Sequence, residues 1–169
     1  MTDPKEQFSL IYDQYIDKIY RFVYLKVDSQ EVAEDITSKA FVKAWEAYQR
    51  DRKSIQSINA FLYKIAGNLV IDHYRQQGRK KTLSISQIGQ MADNRTNIHE
   101  NAIFNADLDK VKAALVDIKQ EYQDIIIWHY LEDMPTEEIA KLTGKPAGTV
   151  RVMIHRGLEM LKDKLVQES

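Results

Sequence analysis

Thr136-Glu137-Glu138-Ile139-Ala140-Lys141-Leu142-Thr143-Gly144-Lys145-Pro146-Ala147-Gly148-Thr149-Val150-Arg151 carries the strongest local signal in this 169-residue chain. Its start predicts a short helix, Gly144 accepts the geometry of a tight turn, and a second helix enters near Ala147. Two helices joined this way form a helix-turn-helix, whose second member can lie in the major groove of duplex DNA. Ala140 is small enough to let the helices approach, and Val150 is placed to pack back on the first. Val150, Ile154, Leu158, Leu161 and Leu165 recur at helical spacing and are expected to form the inner stripe of the second helix. Thr149, Arg151, Val152, His155 and Arg156 are left outward or at its margins, as candidates for DNA contact. Arginine and threonine suit phosphate and base-edge hydrogen bonds, whereas Val152 offers only apolar contact, for instance to a thymine methyl. The same pattern also fits an ordinary helical hairpin with solvated charges. Gly144-Lys145-Pro146-Ala147-Gly148-Thr149 is not a phosphate-binding loop, which ends in Gly-Lys-Ser/Thr after a strand.

Upstream of this stretch the apolar residues also keep helical periods. Phe8, Ile11, Tyr12, Tyr15, Ile16, Ile19, Tyr20 and Val23 lie on one stripe of a first helix. A second is expected from near Asp28, where Asp28-Ser29-Gln30-Glu31 offers a cap, with Val32, Ile36, Ala40, Phe41, Ala44, Trp45 and Tyr48 inside. The polar run Gln49 to Ser54 interrupts the pattern. A third helix is expected from Asn59 to about Gln77, with Phe61, Leu62, Ile65 and Leu69 inward. From Thr82 to Asn105, Ser, Gln, Asn, Thr and Asp dominate without sustained period, which reads as a flexible polar linker. Helical spacing resumes with Leu108, Val111, Leu115 and Ile118, then with Tyr122, Ile125, Ile126 and His129. No strand and no fixed-period repeat is evident. The expected fold is all-α: two small helical domains joined by a flexible linker, the C-terminal one a helix-turn-helix.

Composition narrows the function. Twenty-four Lys and Arg face 25 Asp and Glu, which excludes a strongly basic free-standing nucleic-acid binder. By segment the balance breaks up: residues 1–49 sum to −3, 50–81 to +6, 82–120 to −1, 121–138 to −6 and 139–169 to +3. A basic segment therefore lies near the end of each helical domain. Cysteine is absent, which excludes a disulfide framework and thiolate chemistry. The four histidines (His73, His99, His129, His155) are dispersed and form no His-Glu-x-x-His arrangement, so neither a metal nor another cofactor is expected, and an enzyme ranks low. The N-terminus lacks a signal-peptide pattern and no run of about 18 apolar residues occurs, so a cytoplasmic protein without membrane insertion is expected.

Asn68, Asp72, Arg75 and Arg79 recur along the third helix at i, i+4, i+7 and i+11, with Lys64 on the same side. With Tyr63 and Tyr74 nearby, this polar stripe suits unstacked bases and phosphates, though such a stripe is also what a solvated helix face looks like.

Three blocks together resemble the bacterial RNA polymerase sigma factors of the extracytoplasmic-function group. Ala33-Glu34-Asp35-Ile36-Thr37-Ser38-Lys39-Ala40-Phe41-Val42-Lys43-Ala44-Trp45 is similar to the family's polymerase-docking helix. Phe61 through Arg75 is similar to its start-proximal promoter helix, and Glu138-Ile139-Ala140 through Thr149-Val150-Arg151 and His155-Arg156 to its upstream helix-turn-helix. The resemblance implies that residues 1–81 dock on the polymerase clamp and recognise and melt a −10 element. It implies likewise that residues 82–105 are the linker and that residues 106–169 read a −35 element. Asp35, Ser38 and Lys39 would then face core RNA polymerase, with Phe41 and Trp45 mainly core. Lys64, Asn68, Asp72, Arg75 and Arg79 would meet the melted strand of promoter DNA, and the loop around Arg50 to Ile58 would receive a flipped base. Thr149, Arg151, Val152, His155 and Arg156 would read the upstream duplex, and an anti-sigma factor is an implied partner. The chain departs from the family at Ser38 (usually Gln), Phe61 (commonly Trp), Ile118-Lys119 (Leu-Pro), Pro135 (a Ser cap, leaving Thr136 or Asp133 to cap) and Val152-Met153 (Ser-Arg). Fully extended, the 24 linker residues span roughly 80 Å at about 3.3 Å each, enough for two turns of DNA. The alternative is a stand-alone helix-turn-helix regulator binding DNA as a dimer; the second basic helix, which a dimerisation module does not need, separates the two.

Overall fold

The computed structural model describes residues 3–79 and 108–168, which form two compact units. The segment assigned to the linker, 82–105, lies outside the described residues.

The N-terminal unit packs three helices. Helix α1 (Pro4–Tyr24) starts on Asp3, whose carboxylate accepts from the Lys5 amide, with Pro4 in the first turn where its missing N–H costs nothing. Helix α2 (Gln30–Asp51) is capped by Ser29, not Asp28: the Ser29 hydroxyl accepts from the Val32 amide at 3.2 Å. A 3₁₀ turn, Arg52–Ser54, replaces the expected break. Helix α3 (Ile58–Arg79) follows, with the Ser57 hydroxyl accepting from the Ala60 amide.

Ile19, Phe22, Val23, Ala33, Ile36, Ala40, Phe41, Ala44, Leu62, Ala66 and Val70 fill the core between them. Small Ala33, Ala40, Ala44 and Ala66 sit among larger side chains, which lets the helices close in at native density. The periodic stripe missed Phe22, Tyr24, Leu25 and Val27, which are buried where α1 turns into α2. It also placed Tyr12 inside, whereas Tyr12 is 43% exposed. Its ring stands edge-on to Phe41 at 4.9 Å, on the rim of a surface groove and not in the core.

In the C-terminal unit, helix α4 covers residues 108–115. The Gln123 side-chain amide donates to the carbonyl of Leu115, the last residue of α4, and to that of Ile118 in the turn beyond, both at 2.8 Å. Helix α5 (Gln120–Ile126) runs on into one π-helical turn, Ile127–Leu131. Four successive residues, Ile125 to Trp128, are buried where the helix runs into that wider turn. The helix-turn-helix comprises α6 (Thr136–Thr143) and α7 (Ala147–Glu168). Between them Gly144 adopts φ 72°, a left-handed conformation that favours glycine. Neither Thr136 nor Asp133 caps α6. Pro135 occupies the cap without a side-chain bond, its carbonyl accepting from Glu138 and Ile139, while Asp133 takes φ 51° in the preceding turn.

The inner stripe of α7 is Val150, Met153, Ile154 and Gly157, fading through half-buried Leu158 and Leu161; Leu165, expected inside, is 48% exposed. The tightest approach is at Gly157, where an added Cβ would stand 3.0 Å from Ile126 Cγ1 and 3.1 Å from Cδ1. Ala140 is half-buried, and Gly157 went unnoticed in the sequence because a glycine in mid-helix carries no periodic signal.

Candidate nucleic-acid interface

On α3 the core side is set by Leu62, Tyr63, Ala66 and Val70, and at 100° per residue the opposite side holds Lys64, Asn68 and Arg75, with Asp72 at its edge. All four polar side chains are exposed. Asp72 and Arg75 stand 4.0 Å apart as a loose ion pair, so the stripe is partly self-neutralised. Arg79 is the last residue of the helix, and its side chain lies outside the described residues.

The two tyrosines assigned to this face do other work. Tyr63 is buried, edge-on to Phe22 with ring centroids 5.1 Å apart, and is unavailable to a base. It falls on the core side because it lies one residue from Leu62 and three from Ala66. Tyr74 donates its hydroxyl to the backbone carbonyl of Lys26, tying the second half of α3 to the turn between α1 and α2. Burial, and then the carboxylate of Asp28, raise its pKa above the ordinary 10.0.

The segment Arg50 to Ile58 is anchored by a side chain that sequence reasoning passed over. Gln7 Oε1, on the first turn of α1, accepts from the Tyr48 hydroxyl at 2.8 Å and from Arg52 Nη1 at 2.5 Å. The Arg52 guanidinium also lies 6.0 Å from the centre of the Tyr48 ring. The Ser54 hydroxyl donates to the Asp51 carbonyl, closing the 3₁₀ turn. A glutamine on a helix surface gives no warning of such a role, because its partners come from 41 and 45 residues away.

Asp35, Ser38 and Lys39 are exposed on α2, and Asp35 and Lys39 pair at 3.0 Å across one helical turn. Ser38 borders a groove of about 520 Å³ between α1 and α2, lined chiefly by Phe8, Tyr12, Phe41, Val42 and Trp45. Phe41 is core, as expected, whereas Trp45 is half-buried and stands 5.1 Å from Phe8 in the groove wall.

In the C-terminal unit Thr149, Arg151, Val152, His155 and Arg156 are all exposed on the first three turns of α7. Arg151 is 3.9 Å from Glu137 of α6, and His155 Nε2 is 3.3 Å from Glu159 one turn on. Of the pair Val152-Met153 only Val152 reaches the surface; Met153 is 6% exposed and belongs to the core. His129 is half-buried, edge-on to Tyr130 at 4.7 Å. Among the described residues no group of three His, Asp or Glu could hold a metal ion, and no helix is long and apolar enough to cross a membrane.

The pattern matches known proteins over most of its length. Residues 11–80 match the family model Sigma-70 region 2, and residues 108–161 match Sigma-70, region 4. The chain is 30% identical to the ECF RNA polymerase sigma factor SigW of Bacillus subtilis, covering 95% of this chain and 90% of that relative. To the RNA polymerase sigma factor SigV of the same bacterium it is 26% identical, over 99% of this chain and 90% of the other. Among solved structures, CnrH in complex with the cytosolic domain of CnrY shares the fold with a TM-score of 0.72 at 18% identity. That likeness covers 98% of this chain and 91% of CnrH.

Proposed function

The chain belongs to the ECF group of RNA polymerase sigma factors and directs the polymerase to promoters, and from that premise we propose how its residues divide the task. As a specificity subunit it is not an enzyme. The N-terminal unit docks on core polymerase through the exposed side of α2, with Asp35, Ser38 and Lys39 at the contact. Lys64, Asn68, Asp72, Arg75 and Arg79 on α3 then meet the melted strand of the −10 element. The loop anchored by Gln7 takes a base flipped from the duplex, an extrusion costing about a few kcal/mol that stacking and basic contacts offset. The C-terminal unit reads the −35 duplex through Thr149, Arg151, Val152, His155 and Arg156, with residues 82–105 as the tether. An anti-sigma factor that covers these faces is the expected regulator.

The observation that carries this reading is the exposure of Lys64, Asn68, Asp72 and Arg75 on the side of α3 turned away from the core. A dimerisation face is expected to be apolar at its centre, and these four side chains are polar or charged. Net charge is consistent: at −1 overall, few phosphates can be neutralised by the chain alone, so its intrinsic duplex affinity is weak. In-vitro transcription with core polymerase tests the proposal. Promoter-specific transcripts should depend on the chain, and a gel shift without core should show little binding. Tight duplex binding by the isolated chain, indifferent to core, would refute it.

A further inference from the structure

Val152 stands in an unexpected place. At about 100° per residue, buried Val150, Met153, Ile154 and Gly157 define the core direction of α7, and Val152 and His155 lie within about 30° of the opposite direction. Arg151 and His155 flank the valine on one side, Thr149 and Arg156 on the other. It is the aliphatic member of an outward set otherwise able to hydrogen-bond, and it is 48% exposed. The helix gains nothing from it, because a β-branched residue is a poorer helix former than alanine or arginine. What valine does provide is shape: in a helix it holds essentially one χ1 rotamer, so two methyl groups are presented with little freedom left to lose on contact. Without charge or hydroxyl it cannot read a phosphate or a hydrogen-bonding base edge. The apolar feature that a base pair presents in the major groove is the C5 methyl of thymine.

We propose that Val152 is a specificity residue that reads the 5-methyl group of one thymine in the upstream promoter duplex. The inference rests on the assignment of α7 to that duplex. Arg151 and His155 beside it, 3.9 Å from Glu137 and 3.3 Å from Glu159, supply position, while the valine discriminates thymine from bases lacking the methyl.

Deoxyuridine, which differs from thymidine by that methyl alone, makes the test direct. Holoenzyme formed from the full chain and core polymerase selects promoters from a pool with a randomised upstream element, and each thymine of the selected element is then replaced singly. At one position the replacement should weaken binding about fourfold, the worth of one buried methyl-sized group. Val152→Ala should lose a similar factor on the unmodified promoter and lose nothing more with deoxyuridine at that position. Its melting temperature should match that of the parent, since the residue is exposed and alanine favours the helix. A selected element without thymine, or deoxyuridine costs equal in both proteins at every position, overturns the inference. If no common upstream element emerges, or if Arg156→Ala binds as the parent does, the assignment of α7 to the duplex falls with it.

Discussion

Residues 50–81 carry eight basic side chains against two acidic ones, and residues 139–169 carry six against three. The two proposed DNA-facing helices also neutralise that charge in different places. On α3 the acid is inside the stripe, Asp72 at 4.0 Å from Arg75, and most of the positive charge is left over. On α7 the carboxylates border the set: Glu137 of the neighbouring helix stands 3.9 Å from Arg151, and Glu159 faces His155. A melted strand offers phosphates and unstacked bases at variable geometry, which an excess of charge along a stripe can follow. A duplex groove offers fixed positions, which a few cations at set places on a helix suit better than a large excess of charge. Exposed ion pairs contribute only about 0–1 kcal/mol, so exchanging a carboxylate for a phosphate costs α7 little.

Substitutions can break this contrast, beginning with the unit that carries α7. Gly157→Val should destabilise the C-terminal unit by about 2–3 kcal/mol, because its side chain must enter the space held by Ile126. In denaturant titrations a transition belonging to that unit should move while that of the N-terminal unit stays. A common shift of both would show that the units do not unfold separately. Arg75→Ala should slow promoter opening about tenfold, within the ~1–3 kcal/mol typical of a base contact, and a template with a pre-melted bubble should restore the rate. If the bubble does not rescue it, Arg75 acts before melting and the division between the helices fails. Tyr74→Phe should cost about 1 kcal/mol of stability by deleting the bond to Lys26. That contribution belongs to the protonated phenol, whose pKa folding raises. It is therefore fully present below pH 10 and lost as pH climbs through the raised value, so the variant's deficit should vanish in strong alkali. Glu137→Gln should have the smallest effect, tightening upstream binding by holoenzyme about two- to threefold at low salt and not at high salt, as screening predicts. An increase that survives high salt would mean Glu137 does more than shield Arg151.

Among the described residues the helices and their number were legible because each buries one face of an amphipathic period, and the helix-turn-helix because Gly144 and the residues beside it leave few other conformations. The polar stripe of α3 and the outward set of α7 were legible for the same geometric reason. What escaped reading has no period. Gln7 becomes an anchor through Tyr48 and Arg52, partners far along the chain. Gln123 closes the end of α4 with a side chain that looks like solvated surface. Tyr63 and Tyr74, alike in sequence, separate into a core ring and a strut because the helix turns them toward different neighbours. Leu165 keeps the spacing of its stripe and is still exposed, since spacing names a face without saying how far its cover extends.

The π turn at Ile127–Leu131 makes the C-terminal unit sensitive to the length of its chain as well as to its side chains. Winding five residues where four would close the turn stores one surplus position with little net rotation. One more residue inserted into 127–131 would find no such slack left and would swing everything beyond it by about 100° around the axis. The connection from Glu132 to Pro135 would then have to start from a different side of the helix. An insertion at this place would act on promoter choice through geometry, with every residue proposed to touch DNA left unchanged.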